Sequence, residues 1–430
     1  MAASEPLFFR RTLAVATLAA LMGAAVGAIV TAQYFRLKSD PAVITKEVQI
    51  QPQQPGVNYT PVEIESLPGW ANDAIFDARP AMLRSCERYS RKSPTAIIGQ
   101  GPIGRPASSW HTVCALLAGA DSEKTMRTLM ASKFSAYSVS AEIDQSINSH
   151  GTFTGYYEAD LKGSMTRGGP YQTPIYGLPR NLVNVNLNDF AATAAPLSGV
   201  GHAKFVGRVV EQEGGVQLKP YYSRANIDAD GVIAGDADVI VWARDPVDVH
   251  ILHIQGSGRV TLQDGRIIRI GFAGSNGLSF RGIGGILLKA GVLKPGQGSM
   301  VSVRDWLKNN PKQAAKYMNM NARYIFFRHL SPEQTKGGPI GAFGVSLTPM
   351  RSIAVDPRSV PLGAPVWLDT HDPDGRPLQR LVAAQDVGSA IKGAVRGDFF
   401  WGHGPDAFYK AGRMKSDGQY FVFVPKQGNH

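Results

Sequence analysis

Asp386 and Asp398 stand twelve residues apart, and Asp356 stands thirty residues before Asp386. A carboxyl group can donate or accept a proton, so carboxyls brought together are suited to acid–base chemistry. The neighbours bear on which one acts. Asp398 is followed at once by Phe399, Phe400 and Trp401. A carboxyl pressed against these rings is partly desolvated, which disfavours its charged form and raises its pKa. Lys392 and Arg396 would pull the other way. The plainer reading is that an aspartate beside glycine in a loop accepts hydrogen bonds from turn N–H groups.

Other chemistries find less support. His250 and His253 are three apart in a segment that reads as a strand, where they would face opposite sides, so no metal site is expected. There is no Cys-x-x-Cys, no Gly-x-Ser-x-Gly and no phosphate-binding loop. Gly282-Ile283-Gly284-Gly285 lacks both the spacing and the preceding strand of a dinucleotide site.

Short strands and turns must position the aspartates. Charged residues make up 18% of the chain, while glycine (47) and proline (28) are abundant. The patterning predicts helices over 70–86, 110–117, 122–134, 301–309 and 311–318. It predicts strands over 151–158, 205–211, 239–242, 249–255, 259–262, 266–272, 352–355, 365–368, 381–385 and 419–424. The expected class is mainly β with peripheral helices, and 430 residues suffice for two domains.

Several motifs occur in a telling order. Phe153-Thr154-Gly155-Tyr156-Tyr157-Glu158 precedes Tyr171-Gln172-Thr173-Pro174-Ile175-Tyr176. His253-Ile254-Gln255-Gly256-Ser257-Gly258-Arg259 follows. Then come Asn321-Ala322-Arg323-Tyr324 and Gly341-Ala342-Phe343-Gly344, and last the aspartate stretch. From about Leu67 to Pro425 the chain resembles the membrane-bound lytic murein transglycosylase A family, with its C-terminal three-aspartate (3D) domain. Ala159 stands where that family usually has proline.

The resemblance implies a double-psi β-barrel from 66–156 and 273–430, its 3D domain over about 350–425. A smaller β-barrel, 157–272, is inserted and shares a substrate groove with it. The activity implied is cleavage of the β-1,4 bond between N-acetylmuramic acid and N-acetylglucosamine, with formation of a 1,6-anhydro end. Asp398 takes the acid/base role, with Asp386 and Asp356 assisting. Tyr156, Tyr157, Gln255 and Ser257 are the candidate groove residues, because aromatic faces and amides suit sugars. No cofactor is expected. A non-catalytic glycan binder on the same barrel is the alternative, and a hydrolase a third reading.

Residues 12–32 are uncharged, lie between Arg10-Arg11 and Arg36, and are long enough to span a bilayer. They read as an uncleaved anchor, or as a signal segment cut after Ala32. Ala24 stands where a lipidated cysteine would sit, which excludes a lipoprotein there. Residues 37–65 read as a polar linker. The expected location is periplasmic, so Cys86 and Cys114, the only cysteines, are expected to be joined. The net charge of +11 suits an anionic polymer such as peptidoglycan. The basic residues are scattered, so nucleic acid is not an expected partner.

Overall fold

Proline and cap residues decide where the helices of this protein begin. In the computed structural model, which describes residues 56–143, 146–187, 204–335 and 337–427, the stretch expected as one helix from Trp70 is broken. Two 3-10 turns, Trp70–Asn72 and Ile75–Ala78, precede α1 (Arg79–Tyr89). Pro80 explains the late start, because proline is tolerated only in a helix's first turn. Helix α2 is Ala107–Ala118. Helix α3, Glu123–Lys133, starts at a capping box of Ser122 and Thr125.

Residues 249–255, expected as a strand, lie within helix α4 (Pro246–Gln255). Asp245 caps it by accepting the Val247 N–H at 2.8 Å, Pro246 opens it, and Gly256 closes it at a φ of 80°. Val247, Val249, His250, Ile251, Leu252 and His253 are all buried. A helix buried nearly all round shows no apolar stripe, which is why its period is hidden. The linker reading also fails at its end: β1 (Val57–Val62) pairs antiparallel with β2 (Phe134–Ile143). The rest of that span and residues 12–32 lie outside the described residues. Among the described residues, no helix is long and apolar enough to cross a membrane.

Among the described residues, fourteen strands form one sheet. Its further members are β3 (Gly151–Ser164), β4 (Ser257–Thr261), β5 (Ile267–Ser275), β6 (Ile325–Leu330) and β7 (Ser352–Val355). Then come β8 (Pro365–His371), β9 (Pro377–Asp386), β10 (Arg396–His403) and β11 (Lys415–Pro425). The order is β1-β2-β11-β8-β9-β7-β10-β3-β4-β5-β6, and β11 also pairs with β3. The pairings therefore return from β3 through β11, β8, β9, β7 and β10 to β3. Positions 157 and 272 fall inside β3 and β5, so continuous strands cross both expected boundaries. Around the ring, Trp367 meets Trp70 edge-on at 5.0 Å, and Trp70 stacks on Phe423 at 5.8 Å.

Cys86 in α1 and Cys114 in α2 are joined by a disulfide, 28 residues apart in sequence. A loop of that length contributes roughly 3–4 kcal/mol in the chain-entropy account. Reduction should lower the unfolding free energy by that amount, measured as the shift in denaturant melts with and without reductant.

Candidate active site

Strand β10 carries Asp398, although its glycines read as a loop in the sequence. It lies between β7, with Ala354 opposite Asp398, and β3, with Thr154 beside Asp398 and Tyr156 beside Phe400. Gly397 makes this possible: a Cβ there would meet Ile353 Cδ1 and Phe153 Cδ1 at 2.8 Å each. Side chains alternate along a strand. Asp398 and Phe400 therefore share one face, and Phe399 and Trp401 turn to the other, where their rings meet at 4.9 Å. The expectation that all three aromatics press on the carboxyl is corrected here. Phe400 alone shares its face, in a cluster with Tyr156, Leu347 and Ala354.

Asp398 is half-buried, and Thr154 Oγ1 donates to its Oδ1 at 2.6 Å. Arg396 Nη2 in turn donates to Thr154 Oγ1 at 2.8 Å. Burial pushes the Asp398 pKa up to about 6; the Thr154 hydrogen bond and the Arg396 charge oppose the rise, and the Asp386 charge adds to it. At that value the group exchanges a proton near neutral pH.

Asp386 ends β9. Its Oδ1 accepts the backbone N–H of Ala342 at 2.8 Å and of Val387 at 2.9 Å, and its Oδ2 accepts the Tyr156 hydroxyl at 3.0 Å. Burial raises its pKa against these hydrogen bonds.

Asp356 has a different environment. It is 1% exposed and accepts Arg358 Nε at 3.0 Å, Arg358 Nη2 at 2.7 Å and the Gly393 N–H at 2.9 Å. Burial alone would raise its pKa, but the Arg358 and Gly393 bonds outweigh it and hold the pKa low. It stays ionised and ties the segment between Asp386 and Asp398 to the end of β7. That segment passes through Gly393 at a φ of 113°, a conformation that favours glycine.

The expected groove residues divide. Tyr156 lies on the Asp398 face, its ring 5.1 Å from Phe400. Tyr157 points the other way, its ring 5.4 Å from Phe408 of α5 (Gly404–Arg413). Gln255 Oε1 accepts the Tyr157 N–H at 3.0 Å, so it braces β3 from α4. Ser257 is buried at the start of β4. Neither Tyr157 nor Gln255 is brought together with the aspartates. Thr154 was missed, although it is two residues from Tyr156 and period-two spacing puts it on the same face.

His250 and His253 lie on helix α4, not a strand, so the premise that separated them does not hold. Arg224 Nη2 reaches His253 Nδ1 at 2.8 Å, and burial holds both imidazoles neutral. A buried guanidinium at that distance opposes a cation there.

Removing the Tyr156 hydroxyl takes away one of three hydrogen bonds to Asp386, worth about 0.5–1.5 kcal/mol. Tyr156→Phe should lower kcat/KM roughly threefold to tenfold, read from steady-state kinetics, and lower the melting temperature by no more than a few degrees.

The arrangement, a half-buried carboxyl with a raised pKa on a β scaffold, suits acid–base chemistry. The family descriptions "MltA specific insert domain" and "3D domain" match residues 152–328 and 351–424. The chain is 29% identical over 287 residues to the membrane-bound lytic murein transglycosylase A of Escherichia coli K12, covering 64% of this chain and 67% of that one. The crystal structure of MltA from Neisseria gonorrhoeae matches with a TM-score of 0.70 at 30% identity, covering 88% of this chain and 98% of that one. That of the membrane-bound lytic murein transglycosylase from Agrobacterium tumefaciens matches with a TM-score of 0.71 at 30% identity, covering 86% and 98%. The chain belongs to the membrane-bound lytic murein transglycosylase A family, whose members are named for cleavage of murein.

Proposed function

We propose that this protein is a lytic transglycosylase of the cell envelope. It cleaves the β-1,4 bond between N-acetylmuramic acid and N-acetylglucosamine and leaves 1,6-anhydromuramic ends. The observation that carries this reading is Asp398, half-buried, hydrogen-bonded by Thr154 and raised to about 6. The protonated carboxyl gives its proton to the leaving glycosidic oxygen. The resulting carboxylate takes the proton of the muramyl C6 hydroxyl as O6 bonds to C1. One carboxyl serves both transfers, because the nucleophile belongs to the substrate and its effective concentration is high. Asp386 faces the positive charge that develops on the sugar ring. Asp356 orders the chain between the other two.

The closed path of pairings through β3, β11, β8, β9, β7 and β10 supports the double-psi barrel reading of 66–156 and 273–430. Residues 157–272 then form the inserted part. The uncharged 12–32 segment supports a membrane anchor that places the enzyme on its peptidoglycan substrate.

Incubation with purified murein sacculi tests the reading. Soluble muropeptides should be released. Sedimentation of the protein with the sacculi and no released product would identify a glycan-binding protein instead.

A further inference from the structure

The face that carries Asp398 continues along β3 through Thr154, Tyr156 and Glu158 to Asp160. Beyond the catalytic centre it carries two guanidiniums, Arg259 and Arg269, set against the carboxyls of Asp160 and Glu158. Glycines 402 and 404, at φ values of 100° and 90°, bend the end of β10 so that His403 lies beside Glu158. Arg259 of β4 lies beside Asp160, and Arg269 of β5 lies beside Arg259. Two guanidiniums on neighbouring strands repel unless something holds them. Glu158, 1% exposed, lies beneath: Arg269 Nε stands 3.1 Å from its Oε1, yet neither of its oxygens has an aligned hydrogen bond.

The donors are left over. Arg259 Nη1 contacts His403 Nδ1 at 2.5 Å and Asp160 Oδ1 at 3.4 Å. Its Nε and Nη2 have no hydrogen-bond partner among the described residues. Arg269 Nη1 donates to the Thr335 carbonyl at 2.5 Å, and its Nη2 has no hydrogen-bond partner among the described residues. His403 accepts at Nδ1, which leaves the proton of the neutral ring on Nε2; burial, then the Arg259 charge, keeps that ring neutral. Both arginine side chains are about one-fifth exposed, at 19% and 23%. The unpaired groups that reach the surface here are N–H donors, two of them on the planar fork that suits a carboxylate, while the two unbonded Glu158 oxygens are buried.

We propose that Arg259 and Arg269, with His403, form a carboxylate-binding subsite on the Asp398 face of the sheet. It takes a stem-peptide carboxylate of a muramyl unit other than the one being cleaved. Glu158 is four residues along β3 from Thr154, or about 13 Å, which sets the subsite apart from the scissile bond. This rests on the lytic transglycosylase reading for its substrate class. Glu158 supports it electrostatically: burial pushes it to about 7 against Arg269 and Arg259, with Asp160 adding. Below that pH it is neutral and the cluster gains one net positive charge, with His403 unchanged.

The test compares affinities. Wild type and Arg259→Gln are titrated with muramyl-containing strands bearing free carboxylates, with the same strands after carboxyl amidation, and with N-acetylglucosamine oligomers. Arg259→Gln should weaken binding of the carboxylate strands roughly 10- to 100-fold, the range of a charge-assisted hydrogen bond. Binding of the other two should stay within about twofold. A parallel loss for all three ligands would mean a structural role and overturn the proposal. So would no loss for any, or a wild type that binds amidated strands as tightly as native ones. These are binding readouts, so a failure to form anhydro ends would defeat the lyase reading and leave this result to be judged separately.

Discussion

Asp398→Asn should abolish turnover of peptidoglycan and leave the fold intact. Acid or base catalysis by one group is worth about 10²–10⁴-fold, and here the same carboxyl serves two transfers. The loss should therefore reach at least the upper part of that range. Stability should move in the opposite direction. In the unfolded chain an aspartate ionises near 3.9, whereas the folded site holds Asp398 at about 6. Its contribution to stability is present below the unfolded value and is lost as pH rises through the folded one. Above that, the buried charge costs at most about 3 kcal/mol, from 1.36 kcal/mol per pKa unit. Asparagine never carries that charge. The variant should melt higher than wild type at pH 8 and gain nothing at pH 4. An inactive variant that melts lower at pH 8 would show that the residue is structural.

The second large effect is on the pH profile of kcat/KM. The reactive form is the protonated acid, so activity should be flat well below about 6 and fall tenfold per unit above it, or about a hundredfold from the acidic plateau to pH 8. Thr154→Val removes the hydrogen bond that opposes the burial shift. Without it the carboxylate is less stable, the pKa rises further, and the falling limb moves to higher pH. Trp401→Phe should leave the limb in place, because that ring lies across the strand from the carboxyl. A flat profile from pH 5 to 8, or a limb that Thr154→Val moves downward, would contradict this account of the acid.

The Trp401 expectation shows where sequence reading stops. Adjacency made Phe399, Phe400 and Trp401 look equivalent, but a strand sends neighbours to opposite faces, and β10 was not legible as a strand. Gly393, Gly397 and Gly402 gave its surroundings the look of a loop. The three aspartates and the ordered motifs were legible because each motif is a short run of neighbouring residues. Helix α4 was misread because burial on all sides erased its period. Gln255 then changed role, from a presumed reach toward sugar to a brace on the β3 backbone. Strand β1 was overlooked because it follows a polar Pro/Gln stretch. The cluster of Glu158, Arg259, Arg269 and His403 comes from four strands, of which only β4 and β5 are neighbours in sequence. Nothing in local spacing announces it; only the register of β10, β3, β4 and β5 does.

The central claim is that the substrate's own C6 hydroxyl, not water, displaces the leaving sugar. Digestion of murein sacculi in ¹⁸O-labelled water, followed by mass spectrometry of the released muropeptides, tests it most directly. The account predicts muramyl ends one water lighter than hydrolytic ends and free of ¹⁸O. Reducing muramyl ends that carry the label would contradict it and make the enzyme a hydrolase.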